Sequence, residues 1–316
     1  MKAILAPRAS AILYDVLRSQ AGRPTFLLPA NICPIVPITF LKAGVAFEFV
    51  DIAPDTLNMD LNQAEARLRS RAGKYGGILY AHTYGEPGTP EEFFRRVKDR
   101  WNDLVVIDDR CLCIPDLEPP RRPCTDVVLY STGYAKIADL GYGGFAFLQD
   151  NLAFEHHPLA FDEGALRTTE EGYKACIRAG RAYVYHDSAW LQTERQLPAW
   201  DEFVRRLRKA VKMTLAQRDA INAVYNSLIP VELPLENGFQ LWRFNLRLAK
   251  RDVALKAIFD AGLFASSHYQ PLVGIMGEGT DAHARNLAAQ VLNLFNDHHY
   301  TIDMAERTAR IILRSL

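Results

Sequence analysis

Ser131-Thr-Gly-Tyr-Ala-Lys136-Ile-Ala-Asp-Leu-Gly141-Tyr-Gly-Gly144-Phe-Ala-Phe-Leu148 is the stretch on which the reading of this chain turns. The apolar run 126–130 leads into Ser131 as a strand, and the glycine-rich turn from Gly141 to Gly144 feeds a second apolar strand. Between them sits Lys136, with small or apolar neighbours and no acidic residue within two positions. A lysine so placed is readily withdrawn from water. Desolvation disfavours the ammonium form, and a neutral amine can form a Schiff base. Most lysines face solvent, so a chemical role for Lys136 has to be supported by what stands upstream.

Working back towards the N-terminus, apolar runs and helix signals alternate. Ser10 reads as the N-cap of a helix carrying Ala11, Ile12, Val16 and Leu17; a helix N-terminus with a hydroxyl and small neighbours is equally a phosphate seat. Residues 25–29 read as a buried strand, 31–42 as a helix closed by Gly44 despite Pro34 and Pro37, and 45–50 as the next strand. Asp60 and Gln63 cap a helix ended by Gly73, and 76–80 form a strand with His82 just beyond it. Thr89-Pro-Glu-Glu92 carries a capping box with proline at the first helical position. Residues 104–107 form a strand with Asp108 and Asp109 at its carboxyl end.

This alternation predicts an α/β fold with a mostly parallel sheet flanked by helices, whose ligands lie beyond the carboxyl ends of the strands. His82, Asp108, Asp109 and Ser131 all fall at such ends. No Gly-x-Gly-x-x-Gly follows the first strand, and the glycines at 141, 143 and 144 precede a strand instead of opening a helix. Both points weigh against a dinucleotide cofactor.

Downstream, residues 151–199 mix His156-His157 with several aromatics and show no clean period. Residues 200–228 read as a long amphipathic helix whose wet face holds Arg205-Arg206-x-Arg208-Lys209. A strand (238–248), a helix (251–261) capped by Gly262, a strand (263–268) and helices near 280–295 and 301–315 follow. The expected division is a large α/β domain, 1–199, and a smaller C-terminal α+β domain, 200–316, that includes the long connecting helix.

The totals limit the function classes. Across 316 residues, 37 Lys plus Arg balance 37 Asp plus Glu, which leaves no net basic field to attract nucleic acid. No apolar run reaches membrane-spanning length, and the first residues lack a signal peptide's apolar core. Five cysteines, an odd number without a framework spacing, fit reduced thiols in a cytoplasm. Cys111-x-Cys113 with Cys124 lacks the second pair that a zinc site needs, so no metal is expected.

Taken in order, these motifs resemble the DegT/StrS sugar aminotransferases, which have the fold-type-I architecture that binds pyridoxal phosphate. Arg8-Ala-Ser-Ala11 is similar to the family's phosphate turn, and Pro29 to Gly44 to its proline-to-glycine helix. Tyr80-Ala-His-Thr-Tyr-Gly85 resembles Val-His-Leu-Tyr-Gly, and Val106-Ile-Asp-Asp109 resembles Ile-Glu-Asp. Ser131-x4-Lys136 with Gly143-Gly144 resembles Ser-Phe-His-x-x-Lys…Gly-Gly. Gln217-Arg218 through Tyr225 and His268-Tyr269-x-Pro271 match a helix and a loop of the same family.

The resemblance implies roles residue by residue. Lys136 would hold the cofactor as a Schiff base and move the proton, Asp109 would pair with the pyridine nitrogen, and Ala9, Ser10 and Ser131 would seat the phosphate. His82, His268 and Tyr269 would face the substrate. Three neighbours of the cofactor depart from the pattern: Cys33 stands for the stacking aromatic ring, Leu112 for a Gln or His meeting the phenolic oxygen, and Gly133 for a histidine. No clear Gly-x-Asn-Tyr-Arg segment, which in relatives reaches the partner subunit's phosphate, is present. The reading is a cytoplasmic, homodimeric pyridoxal-phosphate aminotransferase taking a small-molecule amino donor and a keto-sugar or similar carbonyl substrate. The alternatives are elimination on the same scaffold and a catalytically silent binding or regulatory subunit.

Overall fold

Strands that are apolar on both faces need cover on both faces. The computed structural model of the chain, which describes residues 1–20, 22, 25–71, 73–120 and 124–316, provides it. Its first half runs β1 (Lys2–Ala6), α1 (Ala9–Ser19), β2 (Thr25–Pro29), α2 (Ile35–Ala43), β3 (Phe47–Val50), α3 (Leu61–Ser70), β4 (Tyr75–Ala81), α4 (Glu91–Arg100), β5 (Val105–Asp109), β6 (Val127–Ser131) and β7 (Gly144–Leu148). These strands form one seven-stranded sheet in the order β1-β7-β6-β5-β4-β2-β3. Only β7 runs against its neighbours. The sheet is therefore mostly parallel, as the alternation predicts.

Side chains alternate across each strand. Val105 and Ile107 pack with Leu79, Leu129 and the Ile12–Val16 face of α1. Val106 packs the other way, with Ile78, Tyr80, Leu68, Phe93 and Phe94. Continuing that parity, Asp109 belongs to the α1 side and Asp108 to the α3–α4 side.

The second half holds α5 (Glu163–Ala179), α6 (Trp200–Leu228), β8 (Phe244–Arg247), α7 (Arg251–Asp260), β9 (Ala265–Ser266), α8 (Ala282–Gln290), β10 (Val291–Leu294) and α9 (Ile302–Ser315). Helix α6 has 29 residues, about 43 Å at 1.5 Å per residue, and it serves two cores. Phe203 and Leu207 pack on Tyr130, Phe145 and Phe147 of the large sheet. Ile221 and Tyr225 pack on Phe244, Leu246 and Leu292 of the small one. The small sheet is antiparallel, ordered β8-β10-β9. Among the described residues no helix is long and apolar enough to cross a membrane.

Local departures from expectation have physical causes. Ser10 is not the N-cap of α1: the cap is Arg8, held extended at φ −149° and ψ 151°, and Ser10 lies inside the first turn. Thr89 does not close a capping box, because its hydroxyl accepts from the Arg110 guanidinium. The segment read as one helix over 280–295 breaks at Gln290, where Val291–Leu294 pairs on both sides as the central strand of the small sheet. β1, which has no counterpart in the sequence reading, pairs along its whole length with β7.

Candidate active site

β1, β2, β4, β5 and β6 point the same way, so their carboxyl ends share one edge of the sheet, and antiparallel β7 begins there. A cavity of about 320 Å³ opens at that edge. Ser10 after β1, Cys33 after β2, Asp109 from β5 and Ser131 from β6 all line it, together with Lys136.

Lys136 is presented by a loop held at its peptide bonds. Ala135 has φ 59°, a left-handed conformation that costs a residue with a Cβ roughly 1–2 kcal/mol. Three contacts offset it. Trp242 Nε1–H donates to the Ala135 carbonyl at 2.7 Å, the Ala135 N–H donates to Asp139 Oδ2 at 3.0 Å, and the buried Arg218 of α6 reaches the Lys136 carbonyl at 3.4 Å. Arg218 also donates to the carbonyls of Leu241 and Trp242 and to Asn296 Oδ1. Burial, and then the neighbouring charge of Arg243, push its pKa down to about 9. The half-buried Lys136 amine itself makes no hydrogen bond or ion pair with any described residue.

The two aspartates at the end of β5 part as the strand parity requires. Asp108 meets His82 Nε2 at 2.6 Å and Arg110 Nε at 2.8 Å. Burial would raise its pKa, yet the His82 hydrogen bond and the His82 and Arg110 charges hold it below the ordinary carboxylate range. Asp109 faces the cavity and accepts from the Cys111 N–H at 3.0 Å. Burial raises its pKa, and the bonds to Cys111 and the more distant charges of Lys136 and His82 only partly offset that. It is a buried carboxylate without a cation in contact. Burying an unpaired charge is costly, and a positive group entering the cavity would relieve that cost.

α1 begins at the same cavity. Its first-turn amides have no intrahelical acceptor, and the Ser10 hydroxyl has no partner among the described residues. Gly144 permits the approach: a Cβ there would lie 2.2 Å from the Ala9 nitrogen and 2.7 Å from the Arg8 carbonyl carbon. Backbone cannot yield as a side chain can. Gly144→Ala is thus expected to lower stability by about 1–3 kcal/mol, the usual scale of overpacking, read as a fall in denaturation midpoint; an unchanged midpoint would mean α1 is not seated as described.

The other expected positions vary. Ala9, Leu112, Gly133 and Tyr269 line the cavity. Tyr269 stacks on Trp242 with centroids 6.2 Å apart and rings 15° from parallel. His268 lies beside it, and its pKa is pushed below the ordinary imidazole range by burial of the ring, then by Arg243 and Lys136. His82 contributes to the wall, but its ring nitrogens are engaged by Asp108 and by the Glu86 carbonyl at 2.7 Å. The expected substrate contact therefore does not extend to its imidazole as it stands. Cys111, Gln192 and Arg195 also line the cavity and were not foreseen. The last two come from the segment without a period, and a lone arginine between exposed polar residues carries no local signal. The five cysteines are free thiols, and no group of three metal-ligating side chains gathers among the described residues.

No protein-family model and no curated protein sequence matches the chain. Solved structures do. DesI in the presence of its TDP-sugar product superposes with a TM-score of 0.74 at 17% identity, over 99% of this chain and 80% of that one. A DegT/DnrJ/EryC1/StrS aminotransferase from Brucella abortus gives 0.69 at 15%, over 99% and 86%. Helicobacter pylori PseC, an aminotransferase involved in the biosynthesis of pseudoaminic acid, gives 0.69 at 12%, over 100% and 86%. The chain shares the fold-type-I architecture of these proteins.

Proposed function

We propose that the chain is a pyridoxal-phosphate-dependent aminotransferase acting on a keto-sugar or similar small carbonyl compound. One observation carries the reading: a lysine amine and a buried carboxylate, neither with a salt-bridge partner among the described residues, line one cavity together with the open end of α1. The donor set fits the cofactor feature by feature. The carboxylate of Asp109 suits a protonated ring nitrogen. The free amine of Lys136 suits the aldehyde carbon, and Ser10 with the first amides of α1 suits the phosphate. Fold-type-I neighbours named as sugar aminotransferases support the same choice.

When bound, pyridoxal phosphate supplies an electron sink for charge developing beside the reacting nitrogen. Lys136 would hold the cofactor's reactive end and would be the base that carries a proton between neighbouring atoms, its backbone fixed by Trp242 and Arg218. Asp109 would face the protonated ring nitrogen, whose positive charge would offset the burial that raises this carboxyl's pKa. Tyr269 lines the cavity with its ring stacked on the buried Trp242. The assembly proposed is a cytoplasmic homodimer, a reading supported by the family resemblance and, for the compartment, by the free cysteines.

The test is a half-reaction. With an amino donor and no acceptor, the loaded protein should release about one equivalent of keto acid per site and then stop. Release of ammonia instead would point to elimination, and no product from any donor would leave a silent binding subunit.

Cys33 offers a small thiol where the resembled family stacks a ring, and such a stack is worth roughly 0.5–1.5 kcal/mol. Cys33→Phe is therefore expected to tighten cofactor retention about 2- to 12-fold, measured by equilibrium dialysis. Weaker retention in that variant would mean the small residue makes room for something the wild-type site needs.

A further inference from the structure

Two guanidinium groups line the cavity, and neither has a carboxylate partner among the described residues. Arg8 stands at the start of α1, bridges Gly143 by its backbone and lies 5.8 Å over the ring of Phe161. Arg195 lies 5.2 Å over the ring of Tyr142, the residue before Gly143. Tyr142 and Gly143 line the cavity beside them. The two cations are near enough to act on each other: burial, and then the field of Arg195, lower the pKa of Arg8, while Glu170 and Glu163 on α5 partly offset this without forming an ion pair. Like charges held together with no anion between them are unfavourable.

Arg195 is not on a loose strand. The Ala189 carbonyl accepts from the Asp162 N–H at 2.8 Å, and Thr193 Oγ1 accepts from the Leu159 N–H at 2.8 Å. Trp190 and Leu191 are buried, and the Ser188 carbonyl accepts from Lys42 at 2.9 Å. Arg195 projects from a segment anchored at Ser188, Ala189, Trp190, Leu191 and Thr193, just before it. A planar guanidinium forks onto phosphate oxygens with two parallel donors, and the nearest helix start presents free amides and the Ser10 hydroxyl.

We infer that Arg8 and Arg195 hold the cofactor's phosphate group from within the same chain, so that this end of the site is completed in cis by the segment between α5 and α6. The inference rests on the reading of the cavity as a pyridoxal-phosphate site. Its chemistry is one of charge: a phosphate dianion at the α1 terminus is met by two guanidinium groups in addition to the amides.

The test compares pyridoxal phosphate with pyridoxal, which lacks only the phosphate. In Arg195→Ala, an exposed position whose loss should leave the melting temperature unchanged, pyridoxal phosphate should bind about 10- to 100-fold more weakly. Pyridoxal should bind as to wild type, and Arg195→Lys should recover part of the loss. Arg8→Gln should show the same split between ligands. Mixed Lys136→Ala and Arg195→Ala chains test the cis geometry: cofactor trapped by borohydride on the Arg195→Ala chain should remain as low as in that variant alone. Equal weakening of both ligands, no weakening of pyridoxal phosphate, or full recovery in mixed chains would each overturn the inference. Failure of either ligand to attach to Lys136 in the wild type would instead remove the cofactor reading on which it rests.

Discussion

Lys136→Ala should abolish turnover while leaving the fold intact. Among the described residues at the cavity, the amine is the one group able both to hold the cofactor's reactive carbon and to carry a proton. General acid–base catalysis alone contributes about 10²–10⁴-fold, so the loss should be at least that large in single-turnover kinetics. The fold should not suffer, because the loop is held through the carbonyls of Ala135 and Lys136 by Trp242 and Arg218, not through the lysine side chain. A substitution away from structural contacts usually moves stability within about 0.5 kcal/mol. A variant that keeps a tenth of wild-type activity, or that unfolds, would contradict this placement.

The second large effect belongs to Asp109, and it runs in opposite directions for activity and stability. A contact charge pair moves a titration by roughly one to three units, about 1.4–4 kcal/mol. Asp109→Asn should therefore cut turnover by about 10- to 10³-fold. In the cofactor-free protein the same carboxylate is a buried charge without a cation in contact, and burial raises its pKa. The unfolded chain binds fewer protons at this group than the folded one between the two pKa values, so stability falls as pH rises from the ordinary carboxylate range through the folded value. Above that value the full penalty is present. Thermal melts of the apoprotein should show this decline in the wild type and a flatter profile in Asp109→Asn. Asp108→Asn should instead destabilise at neutral pH, because it takes the charged partner from both His82 and Arg110. If Asp108→Asn is the more damaging to turnover, the assignment of the two faces of β5 is reversed.

The residues explain what was legible in the sequence. The positions of β4 to β7 could be read because their apolar runs end in polar residues, and the alternation across β5 already separates Asp108 from Asp109. The α6 bounds were equally plain from a long amphipathic period. What escaped has no local pattern. Trp242 supports the lysine loop across 107 residues of sequence, and Arg218 across 82. Ser10 was misplaced as a cap because capping propensity is local, whereas the start of α1 is set by the extended Arg8 bridging Gly143. β10 reads as helix until β8 and β9 pair with it on either side. Residues 151–199 hold one helix between irregular segments that are pinned by distant partners, such as His156 on Asp15 at 2.9 Å, and no period records such contacts.

Attachment of pyridoxal phosphate to Lys136 is the step on which the proposed activity depends. The direct measurement is to incubate the protein with pyridoxal phosphate, reduce with borohydride, digest it and map the pyridoxyl group by mass spectrometry. A single modified peptide bearing the group on Lys136, absent in Lys136→Ala, is the expected result. A group on another lysine, or no modification at saturating cofactor, would contradict it.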